Sequence, residues 1–189
     1  GGKIEINPES VDILSLAKDV VDEAYNSRGV EKNIHFSILE ERLPKVLADP
    51  EKLREVMLNI LGNAVKFTAE GGSIAVSFFT DGKVVEVSVK DTGPGISKED
   101  LGKLFTKFGR LDNSYTALST SGGTGLGLYI SKSLIELMHG KIWASSEGVG
   151  KGATFTFALP IATKEILERV DQFRIRSKGE AKGLEPAAI

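Results

Sequence analysis

The sequence predicts an α/β fold: a two-layer sandwich in which helices cover one face of a mixed, mostly antiparallel sheet of about five strands. Two observations predict it. Helical and strand patterns are mixed along the 189 residues, and the strands include a hairpin with few parallel crossovers. The length favours one domain, which we expect at residues 1–160, followed by a C-terminal helix and a flexible tail or linker at 161–189.

Hydrophobic periodicity sets the order of the elements. It predicts a helix at 8–27, a strand at 33–38, an extended segment at 43–47, a helix from 49 to about 67, a hairpin at 73–80 and 83–90, a short helix near 98–107, a helix at 124–138, strands at 141–146 and 152–159, and a helix at 163–176.

Caps and turn residues mark several of these boundaries. Asn7-Pro8 gives the first helix a cap and a first-turn proline, and Asp49-Pro50 does the same for the second. Asp81-Gly82 predicts a two-residue hairpin turn. Gly140 stands where a helix-ending glycine is expected. The polar, aperiodic residues 109–123 predict a functional lid or a disordered loop.

Composition excludes several classes of function. Lys plus Arg is 24 and Asp plus Glu is 26, and this net charge of −2 argues against a nucleic-acid binder. The chain has no cysteine, which excludes a disulfide framework and a thiolate zinc site. No apolar run approaches the ~18 residues of a membrane span, so we expect no membrane contact by this chain. The opening Gly1-Gly2 is expected to be a cloning remnant on a fragment.

A narrow polar stripe runs along the second helix. Its members are spaced four, four and three residues apart, which places them within about 80° of one another on the helix: Glu55, Asn59, Asn63 and Lys66. Asparagine oxygens are neutral, hard ligands suited to Mg²⁺, and a lysine one turn further can reach a phosphate. A solvated helix face with two incidental asparagines remains the alternative.

Two glycine-rich loops are candidates for ligand binding. Asp91-Thr-Gly-Pro-Gly-Ile96 follows a strand, where the aspartate can accept a hydrogen bond from an exocyclic amine, although an ordinary turn has the same composition. Gly122-Gly-Thr-Gly-Leu-Gly-Leu128 opens a helix whose N–H groups can bind phosphate, or it simply caps that helix. It matches neither the Walker nor the dinucleotide-binding pattern.

The segment between the two loops contains two phenylalanines and an arginine. Phe105 and Phe108, three residues apart, favour packing in the core. Arg110, at the entrance to the expected lid, can neutralise a terminal phosphate.

Taken together, these motifs resemble the catalytic ATP-binding domain of sensor histidine kinases over about residues 4–160. Leu58-Asn-Ile-Leu-Gly-Asn-Ala-Val-Lys-Phe-Thr68 is similar to the N box of that family, and 91–96 to its first glycine box. Residues 105–108 are similar to the F box, and 123–128 to the second glycine box. The resemblance implies the Bergerat ATP-binding fold, shared with gyrase, the ninety-kilodalton heat-shock chaperone and the mismatch-repair ATPases.

The resemblance also implies the site residues and the cofactors, ATP and Mg²⁺. Asn63 and Asn59 would hold Mg²⁺, Lys66 would contact phosphate and Phe67 would lie beside the nucleotide. Asp91 would accept from the adenine amine, supported through a water by Thr154, in a pocket shaped by Gly93, Gly95 and Ile96. Arg110 would meet the γ-phosphate, and the phosphates would be lined by the loop residues Gly123, Thr124, Gly125, Leu126, Gly127 and Leu128. Asn59, Lys66 and Arg110 would be the catalytic set.

Three functions are compatible with this pattern: a histidine kinase domain, a hydrolysing ATPase of the same superfamily, or a degenerate pseudo-kinase that binds partners. Hydrolases of the superfamily carry a glutamate as general base four residues before the metal-binding asparagine, where this chain has Asn59, so kinase chemistry is favoured. The intact Asn63, Asp91 and glycines disfavour the pseudo-kinase.

The expected partners follow from the same resemblance. Neither His35 nor His139 lies in a His-Glu-x-x-x-Pro segment, so the phosphoacceptor is expected on a dimerisation domain absent from this chain, with a response regulator as indirect partner. The isolated chain is expected to be a monomer and cytoplasmic, although its parent protein can belong to the membrane receptors of the family.

Overall fold

A computed structural model describes residues 4–107 and 127–182, with side chains to residue 179. Its elements in chain order are β1 (Glu9–Val11), α1 (Ile13–Ala24), β2 (His35–Ile38), β3 (Val46–Ala48), α2 (Pro50–Phe67), β4 (Ser73–Thr80), β5 (Val84–Asp91), α3 (Lys98–Leu101), α4 (Gly127–Leu137), β6 (Lys141–Ser145), β7 (Ala153–Pro160) and α5 (Lys164–Lys182). A π-helical turn, Tyr25–Gly29, continues α1. The expected lid at 109–123 lies outside the described residues.

Five strands form one sheet in the order β2-β4-β5-β7-β6, and β1 pairs with β3 in a separate small sheet. Only the β2–β4 pair of the large sheet is parallel. Val76, Val89 and Phe155 lie side by side across three strands and are all buried, whereas Ser88 and Thr156 share a hydrogen bond on the other face. The predicted fold class is therefore confirmed.

Helix α2 is the central element of the helical layer, because it packs against α1, α4 and β5. Its predicted start is confirmed: the Asp49 carboxylate accepts from the N–H groups of Glu51 and Lys52 at 3.1 and 3.3 Å, and Pro50 is the first helical residue. The apolar side of the helix packs into the core. Asn59 of the polar stripe faces α4.

The first predicted helix is partly wrong. Residues 9–11 form β1, and α1 starts only at Ile13, where the Asp12 carboxylate accepts from the Ser15 N–H at 3.1 Å. Asn7 does not cap a helix; its N–H donates to Asp49 at 2.9 Å. Pairing with β3 thus overrides the helical spacing of this segment.

Two predicted turns differ in detail. The hairpin pairs Thr80 with Val85, so its loop is longer than Asp81-Gly82, and the Asp81 carboxylate accepts from two following N–H groups. At the end of α4, His139 takes the left-handed conformation expected of a glycine, with φ of 61°. Gly140 is required for space, because a Cβ there would collide with the Ala158 carbonyl oxygen.

The remaining differences concern lengths. The short helix predicted near 98–107 covers only Lys98–Leu101. The C-terminal helix, predicted at 163–176, extends to Lys182. Arg174 of α5 donates to the Pro8 carbonyl at 2.8 Å, which links this helix to the segment just before β1. Within residues 4–107 and 127–182 no helix has the length and apolar character needed to span a bilayer.

Candidate nucleotide-binding site

Strand β5 ends in Asp91, whose side chain is 1% exposed. Its Oδ1 accepts from the N–H groups of Gly93 at 2.9 Å and Ala153 at 3.3 Å, and its Oδ2 has no hydrogen-bond partner in the part of the chain that the structure describes. Burial raises the pKa of this carboxyl above its ordinary value, and the two backbone hydrogen bonds partly offset that effect. An unmatched buried acceptor costs about 1–3 kcal/mol, so Oδ2 fits a site that receives an N–H group from a ligand.

The glycines after Asp91 leave room for close backbone packing. A Cβ on Gly93 would lie 2.9 Å from Asp91 Oδ1 and 3.0 Å from the Phe67 carbonyl oxygen. Gly95 has a φ of 72°, and a Cβ there would collide with the Gly148 carbonyl oxygen. Ile96, which closes the loop, is 2% exposed. The loop is thus folded back over the strand ends with an apolar wall.

A serine that the sequence did not single out holds this loop in place. Ser146 Oγ accepts from the Ile96 N–H at 3.1 Å and donates to the Gly152 carbonyl at 2.6 Å. It therefore ties the loop after β5 to the glycine-rich turn between β6 and β7. This role of Ser146 could not be predicted from the sequence, because a single serine in a turn does not indicate a partner fifty residues away.

The polar stripe of α2 lies beside α4. Asn59 Nδ2 donates to the buried Ser131 Oγ at 2.8 Å, and its side chain abuts Gly127 at the start of α4. Asn63, one turn further, makes no side-chain hydrogen bond within the described residues. Glu55 is exposed at the far end of the stripe. Ser131 is a second contact that sequence patterns missed.

The carboxyl end of α2 brings a cation and an aromatic ring together. Lys66 is half-buried, and its Nζ lies 5.9 Å from the centre of the buried Phe67 ring.

Phe105 packs edge-on against Phe155 at 6.4 Å between ring centres, as its expected role in the core requires.

Thr154 is not brought to Asp91. The register places Ala153 opposite Asp91 and Thr154 opposite Lys90. Because side chains alternate along a strand, Thr154 points to the outer face of the sheet, whereas Asp91 points inward. The expected hydroxyl support for Asp91 therefore does not come from Thr154.

Part of the expected site lies outside the described residues: Phe108, Arg110, Gly123, Thr124, Gly125 and Leu126. Gly127 and the half-buried Leu128 begin α4. The described part of the site therefore comprises the end of α2, the loop 91–96 and the first turn of α4.

This architecture, with a buried acceptor at the end of a central strand and a polar helix face beside glycine loops, is that of a nucleotide-binding domain. Residues 48–163 match the family described as histidine kinase-, DNA gyrase B- and HSP90-like ATPase. The chain belongs to this family, and it is an ATP-binding catalytic domain of the sensor histidine kinase type.

Two relatives are consistent with this assignment. The adaptive-response sensory kinase SasA of Synechococcus elongatus is 32% identical over 85% of this chain and 41% of its own length. The non-motile and phage-resistance protein of Caulobacter vibrioides is 36% identical over 85% of this chain and 19% of its own length. The chain thus spans less than half of either relative.

Solved structures show the same fold. Full-length ShkA in complex with AMPPNP superposes with a TM-score of 0.72 at 37% identity, over 86% of this chain and 33% of that one. The catalytic domain of histidine kinase ThkA superposes with a TM-score of 0.70 at 27% identity, over 85% of this chain and the whole of that one.

Proposed function

We propose that this domain binds Mg²⁺·ATP between α2, the loop 91–96 and α4, and transfers the γ-phosphoryl group to a histidine on a dimerisation domain outside this chain. The observation that carries the proposal is the unpartnered Asp91 Oδ2, which can accept from the adenine amine. A relative at 37% identity was solved with AMPPNP, and another at 28% in complex with a response regulator protein. A response regulator is therefore the proposed downstream acceptor.

The residues on α2 fit a metal-bound triphosphate. No group of three His, Cys, Asp or Glu side chains that could hold a metal occurs in residues 4–107 and 127–182. Mg²⁺, however, is commonly held by one or two protein oxygens together with phosphate oxygens. The Asn63 amide oxygen has no hydrogen-bond partner among the described residues and would serve in this way, and Asn59 lies one turn before it. When bound, Mg²⁺ would neutralise charge on the phosphates.

Lysine and glycine groups complete the proposed phosphate site. Lys66 would contact phosphate while its side chain lies against Phe67. The N–H groups at the start of α4, from Gly127 and Leu128, would donate hydrogen bonds to phosphate oxygens at a helix N-terminus. Arg110 at the γ-phosphate and Gly123 to Leu126 along the phosphates remain part of the proposal.

The arrangement favours transfer to histidine over transfer to water. Water must lose a proton as it attacks, and an amide at Asn59 cannot take one up. A neutral imidazole already presents a lone pair, so it needs no protein base before it attacks phosphorus. Glu55 is exposed, and its Oε2 lies 3.9 Å from Lys52 Nζ. It therefore forms a surface ion pair and is not positioned as a base for water.

Calorimetric titration with a non-hydrolysable ATP analogue and Mg²⁺ tests the binding half of the proposal. We expect saturable binding that Asp91→Asn weakens roughly 10- to 100-fold, because the amide N–H₂ would face the adenine amine. The transfer half is tested with ATP and a purified histidine-bearing dimerisation domain. Labelled phosphate on that domain supports a kinase; rapid phosphate release without it would indicate a hydrolase, and a folded chain without nucleotide binding would refute both.

A further inference from the structure

Within the described residues, two buried side-chain polar atoms lack a hydrogen-bond partner: Asp91 Oδ2 and Thr68 Oγ1. Thr68 is 0% exposed. Buried hydroxyl groups almost always have a partner in the protein, an ordered water or a ligand. The proposed function gives Asp91 Oδ2 a partner, and it gives Thr68 none.

Both atoms belong to one corner of the fold. Thr68 ends α2, where its N–H donates to the Ala64 carbonyl at 3.0 Å. A Cβ on Gly93 would lie 2.9 Å from Asp91 Oδ1 and 3.4 Å from the Phe67 carbonyl carbon, the atom bonded to the Thr68 nitrogen. Gly93 is therefore flanked by the Asp91 carboxylate and by the peptide bond that leads into Thr68.

The direction of the Thr68 side chain is set by its methyl group. A Cβ on Gly72 would collide with the Thr68 methyl carbon, so the methyl packs against the turn before β4. The hydroxyl takes another direction and meets no acceptor or donor in residues 4–107 and 127–179. Packing alone would be served equally well by valine, which has the same shape without the polar atom.

No other side chain opposite Asp91 supplies a hydroxyl. The register places Ala153 across from Asp91, and Thr154 faces the other side of the sheet. Adenine presents two neighbouring groups along one edge, the exocyclic amine as donor and ring nitrogen N1 as acceptor. Asp91 matches the amine, and a hydroxyl beside it would match N1.

We propose that Thr68 is a specificity-determining residue of this site, whose hydroxyl donates to N1 of the purine, directly or across one water, beside the amine held by Asp91. The inference rests on the proposed function, because it assumes that an adenine nucleotide occupies the site.

The test pairs a side-chain change with a matched change in the ligand. Calorimetry measures ADP and 1-deaza-ADP, in which N1 is replaced by C–H, against the unaltered chain, Thr68→Val and Thr68→Ser. We expect Thr68→Val to weaken ADP binding by about tenfold and to leave the affinity for 1-deaza-ADP unchanged. Thr68→Ser keeps the hydroxyl, so its affinity for ADP is expected to stay within about threefold of the unaltered chain.

Equal weakening of both nucleotides by Thr68→Val would show that the hydroxyl supports the fold rather than the base, and would overturn the inference. So would an unchanged affinity for ADP. Thermal melting without nucleotide checks folding, and Thr68→Ala replaces Thr68→Val if the valine variant unfolds. If the folded, unaltered chain binds neither nucleotide, the proposed function fails and this inference with it. If Asp91→Asn weakens binding but Thr68→Val does not, the inference alone fails.

Discussion

A single methyl group added at Gly127 is expected to weaken nucleotide binding without unfolding the domain. The Cβ of Gly127→Ala would lie 2.5 Å from Asn59 Oδ1 and 3.0 Å from its Nδ2. These atoms are the end of a side chain, so Asn59 rather than α4 must move. Its hydrogen bond of 2.8 Å to Ser131 would then break.

The size of the effect follows from that hydrogen bond. Losing it removes about 1 kcal/mol of the interaction that orients Asn59, which corresponds to roughly fivefold weaker binding of the Mg²⁺–nucleotide complex. Stability should change little, because alanine gains up to about 1 kcal/mol over glycine in a helix. The melting temperature is therefore expected to stay within about 4 °C of the unaltered chain.

Gly62→Ala is the matched control. Gly62 lies within α2, and a Cβ there meets no described atom within 4 Å apart from the neighbouring backbone of its own helix. The only effect expected is the higher helix propensity of alanine over glycine. The melting temperature should therefore rise by about 2–4 °C, with nucleotide affinity unchanged.

Calorimetry with Mg²⁺ and an ATP analogue, beside thermal melting, measures both quantities. Because Gly127→Ala and Ser131→Ala both act through Asn59, the double variant should bind little more weakly than either single variant. Fully additive losses, or an unchanged affinity in Gly127→Ala, would refute the reasoning.

Three further expectations follow. Burial raises the pKa of Asp91, so as the pH rises above about 4 its carboxyl ionises more readily in the unfolded chain than in the folded one. Without nucleotide, the free energy of unfolding should therefore fall with rising pH more steeply than that of Asp91→Asn. Urea titrations from pH 4 to 8 test the sign of this difference. Glu55→Gln should leave phosphoryl transfer within about twofold, since Glu55 is an exposed ion-pair partner, and lost transfer with intact nucleotide binding would instead make it a base. Gly140→Ala should destabilise the domain by about 1–3 kcal/mol, because its Cβ meets the backbone carbonyl of Ala158; an unchanged denaturation midpoint would contradict this.

Sequence reasoning located the elements whose signals are local. Asp49 and Pro50 fix the start of α2 through atoms within three residues, and the prediction for this helix is confirmed. Strand β1 was missed because its extended form depends on partners far along the chain. Asn7 bonds to Asp49 over 42 residues, and 9–11 pair with β3, so no local pattern could indicate it.

The site divides in the same way. Asp91 and its glycines form a contiguous motif, which made them visible as candidates. Thr154 was placed wrongly because a shift of one residue along a strand moves a side chain to the other face, and the sequence does not set that register. Ser131, 72 residues from Asn59, is a single hydroxyl that only the assembled fold makes meaningful.

The arrangement of polar groups separates holding a nucleotide from attacking it. Asp91 and Thr68 each bury an atom with no partner among the described residues, and a bound nucleotide would satisfy both in the proposed site. On α2, by contrast, the Asn59 amide is held by Ser131, and the carboxylate of Glu55 is exposed. If no base for water stands elsewhere in the site, as on the described face of α2, the proposed site would preserve the γ-phosphate until a nucleophile arrives from outside. In such a domain, the geometry between this chain and its acceptor, rather than the chemistry of the site, would set when transfer occurs.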